Sequence, residues 1–202
     1  MSVKLSPEVF YEKLSPKYFK QVIQLANEVY GSGYLNEQSM VDWALRGISN
    51  NDNCSYVALL DVNSDRQPEA ITKLIGFRIT FAAEHWQADQ WCRPNLWQVP
   101  EAQCCYFKCN TVAKLYRGFG VGKELLQHSI KAAKKQGAHA GIAHLWKDSP
   151  NNSAVAYFTH CGGKLVHSHA DKWNEDSKQG YNCILCGDDC HCEAAEMIIH
   201  FE

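Results

Sequence analysis

The stretch Arg117-Gly118-Phe119-Gly120-Val121-Gly122 narrows the choice of fold more than any other. It sets three glycines between a β-prone run, residues 104–113, and an amphipathic run, residues 121–136. Glycines let a chain turn sharply and let a ligand approach backbone N–H groups. A helix starting at such a turn adds unpaired donors and the positive end of its dipole. The pattern predicts a cradle for a pyrophosphate-like anion. It is not a Walker A loop, because no Gly-Lys-Ser/Thr closes it. The glycine spacing, and the lack of a parallel βαβ array, also separate it from a dinucleotide-binding turn.

The remaining elements are arranged around that turn. Residues 9–14 read as a short strand. Ser15-Pro16 opens a helix with Phe19, Val22, Ile23, Ala26, Val29 and Tyr30 at helical spacing, ended by Gly31. A second helix is expected over 36–48. Residues 55–62 and 71–83 are β-rich and joined by a turn at Asn63-Ser64-Asp65, with Gly76 marking a bulge. Residues 84–103 carry Trp86, Trp91 and Trp97, which suits a packed lid or interface. On the helix 121–136, Leu125, Leu126, Ile130 and Ala133 face inward, and Gly137 closes it. A strand at 141–146, a short helix at 153–160 and strands at 164–169 and 194–201 follow. The order β-α-α-β-β-β-α-β-α-β-β predicts a mixed α/β class, with helices on a mostly antiparallel sheet, in one domain spanning 1–202.

The chain has 202 residues, 46% of them hydrophobic, enough for a core without disulfides. Lys plus Arg number 20 against 22 Asp plus Glu. That balance argues against an electrostatic nucleic-acid binder. No apolar run is long enough to span a membrane, and no secretory leader is visible. A cytoplasmic location, with reduced thiols, is therefore expected. A homodimer is left open.

Val112, four residues, then the R-x-x-G-x-G turn and a helix resemble the acyl-CoA pyrophosphate motif of the GNAT N-acetyltransferase superfamily. Asn151, Ala154, Ala156 and Gly162-Gly163 resemble that family's second motif, and the element order is similar too. The resemblance implies acetyl transfer from acetyl-CoA to a primary amine. It implies that Arg117, Gly118, Phe119, Gly120, Val121 and Gly122, with Lys123 in the first helical turn, hold the pyrophosphate. It further implies that backbone around Val112 holds the pantetheine and that Asn151 contacts the cofactor. The sequence departs from the family at three positions. Gly163 stands where phenylalanine is usual, Phe158 where an aromatic hydroxyl is usual, with Tyr157 beside it, and Tyr106 where histone-type members have a glutamate base.

An alkyl ammonium must lose a proton before it attacks, at a cost of about 4.6 kcal/mol at pH 7. Candidates near the chemistry are Glu84 as a base acting through water, Tyr106 and Asn110 on the central strand, Tyr157, and His144. Simple alternation puts Tyr106, Lys108 and Asn110 on one face with Val112. Cys104, Cys105 and Cys109 read as small apolar fillers. Acidic residues at Glu84, Asp89, Glu101, Asp171, Glu175 and Asp176 would favour a cationic acceptor by attraction.

Cys183-x-x-Cys186-x-x-x-Cys190-x-Cys192 is the second strong pattern. Four thiols within ten residues can form a closed tetrahedral site for structural Zn2+, with iron–sulfur or free thiols as alternatives. His167, His169 and His191 are substitute ligands. The cluster lies in an insertion, residues 171–193, within the final hairpin. Two other readings compete with the enzyme: a catalytically idle acyl-CoA-binding module of the same fold, and a zinc-knuckle nucleic-acid binder. Asp188, Asp189 and Glu193 make the loop acidic, which disfavours the last.

Overall fold

The computed structural model describes residues 9–61 and 72–202, apart from the side chain of Asn151. In chain order it runs β1 (Val9–Lys13), α1 (Phe19–Tyr30), α2 (Glu37–Arg46), β2 (Ile48–Ser49), β3 (Asp52–Asn53), β4 (Tyr56–Asp61) and β5 (Thr72–Phe81). Then come β6 (Cys104–Val112), α3 (Val121–Lys135), β7 (Ala140–Trp146), α4 (Ser153–His160), β8 (Lys164–His169), α5 (Asn174–Lys178) and β9 (Ala194–His200). Seven strands form one sheet in the order β1-β4-β5-β6-β7-β9-β8, and β2 pairs with β3 separately. All neighbours in the large sheet are antiparallel except β6 and β7. The class is the expected one, a mixed α/β fold. The turn expected at 63–65 lies outside the described residues.

Helices cover both faces of the sheet. Val22, Leu25 and Ala26 of α1, with Met40 and Ala44 of α2, are buried against Leu59, Phe77, Ile79 and Phe81. Leu126 and Ala133 of α3, with Phe158 of α4, are buried on the other face against Cys105, Phe107, Ala143 and Met197. The helix ends differ slightly from expectation. Ser15 makes no side-chain cap, and a single tight turn, Pro16–Tyr18, precedes α1. Asn36 does cap α2, its Oδ1 accepting from Ser39 N at 2.9 Å. That helix stops at Arg46 because Ile48 pairs with Asn53 instead.

Two bulges re-aim the central strands. One leaves Ile75 extra, beside Gly76, where the sequence predicts it. The other leaves Lys108 extra on β6, between the pairs Ile79–Cys109 and Thr80–Phe107. A bulge resets the alternation of side chains between faces. Tyr106 and Cys109 therefore pack with α1 and α2, and the Lys108 ammonium lies 4.6 Å from the Trp43 ring centroid. Val112 packs on the opposite face with Val121 and Leu125, and Asn110 lies against Gly122 there. The expectation that Tyr106, Lys108, Asn110 and Val112 share one face is thus corrected, because the extra residue splits them into two pairs.

The tryptophan segment 84–103 is packed, as its composition suggests. Trp97 is fully buried, and its Nε1 donates to Glu196 Oε1 at 2.7 Å. Trp86 donates to Cys104 O at 2.6 Å and stacks on Tyr106, with centroids 4.9 Å apart. The segment between β8 and β9 carries α5 and the four cysteines, and it docks on the end of α1. Asn182 N donates to Ser32 O at 3.0 Å, Ile184 N to Tyr30 O at 3.3 Å, and Tyr181 Oη to Tyr30 O at 2.9 Å.

Gly31 is indispensable to that docking. Its φ is +119°, and a Cβ there would stand 1.9 Å from Asn182 O. Gly31→Ala is expected to cost roughly 2 kcal/mol or more, from backbone strain and overpacking together. Chemical denaturation of the variant measures that loss, and a change below about 0.5 kcal/mol would contradict the docking contact.

Candidate active site

β6 and β7 pair in parallel at three positions only, Cys104–Ala140, Cys105–Gly141 and Tyr106–Ile142. Both strands then continue, to Val112 and Trp146, so beyond Tyr106 they splay. The facing edges have no strand partner there. On β6, side chains take up two carbonyls, Asn110 O accepting from Tyr30 Oη at 2.9 Å and Val112 O from Arg117 Nε at 2.8 Å. Backbone N–H groups that lose a ladder partner still demand one.

The glycine turn stands past the end of β6. Gly118 and Gly120 both adopt the left-handed conformation, at φ +83° and +82°. A Cβ on either would meet no atom within 4 Å. Their backbone N–H groups and the first turn of α3 therefore face open space, which an anion can fill. Phe119 is 80% exposed, and Arg117 Nε donates to Val112 O at 2.8 Å. Lys123 is exposed and Val121 is buried in the first turn of α3.

Beneath that turn lies a buried cation. Arg78 of β5 is 2% exposed. Its Nη2 donates to Tyr157 Oη at 3.0 Å, its guanidinium carbon lies 5.0 Å from the Phe107 ring centroid, and its Nε has no partner among the described residues. Tyr157 Oη in turn donates to Gly122 O at 2.8 Å. Burial raises the Tyr157 pKa. Phe158 is fully buried in the core, so Tyr157 is the hydroxyl that reaches the glycine turn. Asn110 Oδ1, close by, is buried without a partner among the described residues.

On the opposite face, a cavity of about 410 Å³ opens beside the splay, lined by Phe81, Trp86, Trp91, Tyr106, His144 and three cations, Arg46, Lys108 and Lys172. Tyr106 and His144 bridge the base of the splay at 3.0 Å. His144 Nε2 donates to Trp91 O at 2.6 Å. A carbonyl can only accept, so the proton sits on Nε2 and Nδ1 accepts from Tyr106. Burial first, and then the Lys172 charge, depress the His144 pKa to about 4. His144 is therefore neutral at pH 7. Burial raises the Tyr106 pKa.

Glu84 is placed differently from these groups. Its side chain is 63% exposed, Ser49 Oγ donates to it at 2.5 Å, and it does not line the cavity. Of the four candidate catalytic residues, the structure brings Tyr106 to the cavity, and Asn110 and Tyr157 to the glycine-turn side. The side chain of Asn151 lies outside the described residues. Sequence reasoning missed Arg78 and Lys172. An arginine inside the apolar run Leu74–Ala83 was a readable signal for the first; nothing in the sequence marked the second.

The four cysteines of the insertion converge. The Sγ atoms of Cys183, Cys186, Cys190 and Cys192 all lie within 4.8 Å of one another. Cys192 Sγ is 3.9 Å from that of Cys183 and 3.6 Å from that of Cys186. A tetrahedron with Zn–S bonds of about 2.3 Å has edges of about 3.8 Å. Backbone N–H groups of Leu185 and Cys186 point at the Cys183 sulfur. The histidines are engaged elsewhere: His169 pairs with Glu196 at 3.1 Å, and His191 with Asp171 at 2.8 Å. Cys92, His144 and Glu196 also approach one another. Both His144 nitrogens and both Glu196 oxygens already bond to protein, however, so a metal there would have to displace the hydrogen bonds that hold His144.

Removing the Tyr157 hydroxyl takes away the one hydrogen-bond partner that the Arg78 side chain has among the described residues. Tyr157→Phe is expected to cost about 1–3 kcal/mol of stability, the usual penalty for orphaning a buried donor. Thermal or urea unfolding measures it, and an unchanged midpoint would show that Arg78 finds another partner.

The sequence matches the family model of the GNAT acetyltransferases over residues 19–162, more than half of the chain. No curated protein matches it in sequence. Among solved structures, it is similar to Arabidopsis thaliana NAA60 in complex with acetyl-CoA, at 14% identity and TM-score 0.65, covering 96% of this chain and 100% of that one. It is similar to Ard1 from Thermoplasma volcanium at 12% identity and TM-score 0.62, covering 96% and 98%. It is also similar to YncA from Salmonella typhimurium with its cofactor acetyl-CoA, at 10% identity and TM-score 0.63, covering 96% and 94%. At these identities the structures share the fold, and the family match settles the rest: the chain belongs to the GNAT family of acetyltransferases.

Proposed function

We propose that the protein transfers an acetyl group from acetyl-CoA to a primary amine by direct attack on the thioester. The observation that carries this reading is the splay of β6 from β7, with an open glycine cradle on one side and a cavity on the other. The cradle formed by Arg117, Gly118, Phe119, Gly120, Val121 and Gly122, with Lys123, would hold the pyrophosphate. The edge of β6 that β7 leaves unpaired would offer its N–H groups to the pantetheine amides, and Asn110 Oδ1 is a buried acceptor available to them. Asn151, whose backbone lies in the turn Pro150–Asn152 before α4, remains assigned to the cofactor by its motif.

Bound acetyl-CoA supplies an activated acyl group whose leaving thiol has a pKa of about 8.5. A nitrogen–carbon bond forms, the carbon–sulfur bond breaks, the amine loses a proton and the thiolate gains one. Unpaired backbone N–H groups on the splayed edge are the donors available to the carbonyl oxygen. Tyr157, backed by the buried Arg78 charge and held at Gly122 O, would be the hydroxyl that serves the sulfur side. Tyr106 and His144 are placed on the acceptor side, where Tyr106 can orient the amine while His144 fixes its hydroxyl. Glu84 stays a candidate base only through water.

Gly120→Asp would place a carboxylate into the cradle. It is expected to weaken acetyl-CoA binding at least tenfold, about 1.4 kcal/mol. Calorimetry with the folded variant tests this, and unchanged affinity would remove the turn from the cofactor site. Acetyl-CoA binding with no thiol release across an amine panel would instead favour the idle, acyl-CoA-binding module.

We further propose that Cys183, Cys186, Cys190 and Cys192 hold one Zn2+ per chain. Four thiolates at tetrahedral spacing fit such an ion and leave it no open position, so its role would be structural. The segment that the ion orders supplies Lys172, Glu175 and Asp176 to the cavity wall. Elemental analysis is expected to give about one zinc per chain. Cys183→Ser combined with Cys186→Ser should raise the acceptor KM about tenfold and leave CoA affinity within about twofold. No bound metal, with four titratable thiols, would reduce the cluster to free cysteines.

A further inference from the structure

We infer that the amine acceptor also carries an acid group, which Lys108 and Lys172 receive inside the cavity. This rests on the acetyltransferase reading and names its substrate class. Both lysines line the cavity and are half-buried. Neither makes a hydrogen bond or an ion pair among the described residues. Each ammonium lies over an aromatic ring instead, that of Lys108 at 4.6 Å from the Trp43 centroid and that of Lys172 at 5.5 Å from the Trp91 centroid. An aromatic face compensates a desolvated cation only in part, and a buried charge without a counter-ion is costly. Desolvation lowers the pKa of both, and the nearby acids Asp89 and Asp176 offset this only in part, while the Lys108 charge lowers Lys172 further. A site that holds two such cations together is built for an anion to complete.

The other charges set the direction of approach. Asp89, Glu175 and Asp176 also line the cavity but are exposed at its mouth. Arg46 is exposed and already paired with Asp42 at 2.9 Å. The half-buried lysines therefore face inward while the acids stand outside. The acids at the mouth attract an ammonium as it approaches, and the lysines within receive the carboxylate of the same compound once it has entered. The same lysine charges disfavour the protonated form of a bound amine, which is the direction that attack requires.

A free amino acid and the first residue of a peptide with an acidic side chain share this chemistry. The test uses matched pairs that differ only in the acid: L-phenylalanine against phenethylamine, and Glu-Ala-Ala-Ala amide against Gln-Ala-Ala-Ala amide. Calorimetric titration, with and without CoA, reads binding independently of turnover. The acid-bearing member of at least one pair is expected to bind at least tenfold tighter, and the pair that shows it identifies the source. Lys108→Met with Lys172→Met is expected to bring that ratio within twofold while CoA affinity is unchanged. Both side chains rest on apolar surface that methionine can cover, and each single variant serves if the double one fails to fold. Equal or tighter binding of the members lacking the acid, a preference that survives both substitutions, or no binding of any of the four would each overturn the inference. Loss of CoA binding or of thiol release, with the acid preference intact, would instead count against the acetyltransferase reading alone.

Discussion

β6 and β7 hydrogen-bond through three residue pairs and then part, and the site is organised around that parting. Each strand is held from its far side, β6 by its ladder with β5 and β7 by seven pairs with β9. The splay is thus not a frayed end but an opening between two rigid halves. Its base is closed on the cavity side by Tyr106 and His144, whose hydrogen bond spans the gap. On the other side the space ends at the first turn of α3, which Tyr157 ties down through Gly122 O. The acetyl donor and the acceptor would then meet through a slot whose walls are backbone. Preorganised backbone donors need no rearrangement when charge develops.

The β8–β9 insertion belongs to the same construction. Its four cysteines converge within residues 183–192, and His191 of that loop bonds to Asp171 at 2.8 Å. Asp171 holds a left-handed conformation at φ +59°, which a non-glycine residue adopts only when its surroundings impose it. The next residue is Lys172, in the cavity wall. The opposite end of the insertion bonds to the backbone of Tyr30 and Ser32, the turn that leads from α1 to α2. The cysteine cluster is thus joined, through His191 and Asp171, to the residue that stands in one wall of the cavity.

Much of this was legible in the sequence because it rests on local chemistry. Helical periodicity marked α1 and α3, and glycine spacing marked the cradle. The family resemblance, carried by residues 112–122 and 151–163, agreed with the element order read along the chain, while the order of strands within the sheet is seen only in the structure. What escaped depends on one extra residue. The Lys108 bulge is invisible in a strand of β-prone side chains, yet it moves Asn110 and Val112 to the opposite face from Tyr106. Tyr157 shows a similar dependence on register. Aligning the chain to the family's usual tyrosine position points to Phe158, but Phe158 fills the core and the neighbouring hydroxyl reaches the turn instead. Arg78 was visible as a charge in an apolar strand, but its partner lies 79 residues away.

Counting charges along the chain misreads the cavity for the same reason. The sequence gathers acids at Glu84, Asp89, Glu101, Asp171, Glu175 and Asp176, which suggests a cationic guest. In the fold most of them have local duties. Glu84 bonds to Ser49, Glu101 accepts from Ala88 N, Asp171 holds His191, and Asp89 accepts from Trp91 N. Most of these carboxylates are solvent-exposed and each is oriented by a local hydrogen bond, and water and salt screen their field. Lys108 and Lys172 are fewer, but they are desolvated and neither forms an ion pair among the described residues, Asp89 and Asp176 acting on them only from the exposed mouth. Interaction energy scales inversely with both distance and effective dielectric, so two half-buried cations outweigh a larger number of solvated, hydrogen-bonded acids. The local balance of the cavity is thus decided by burial and commitment rather than by the near-neutral sum over the whole chain.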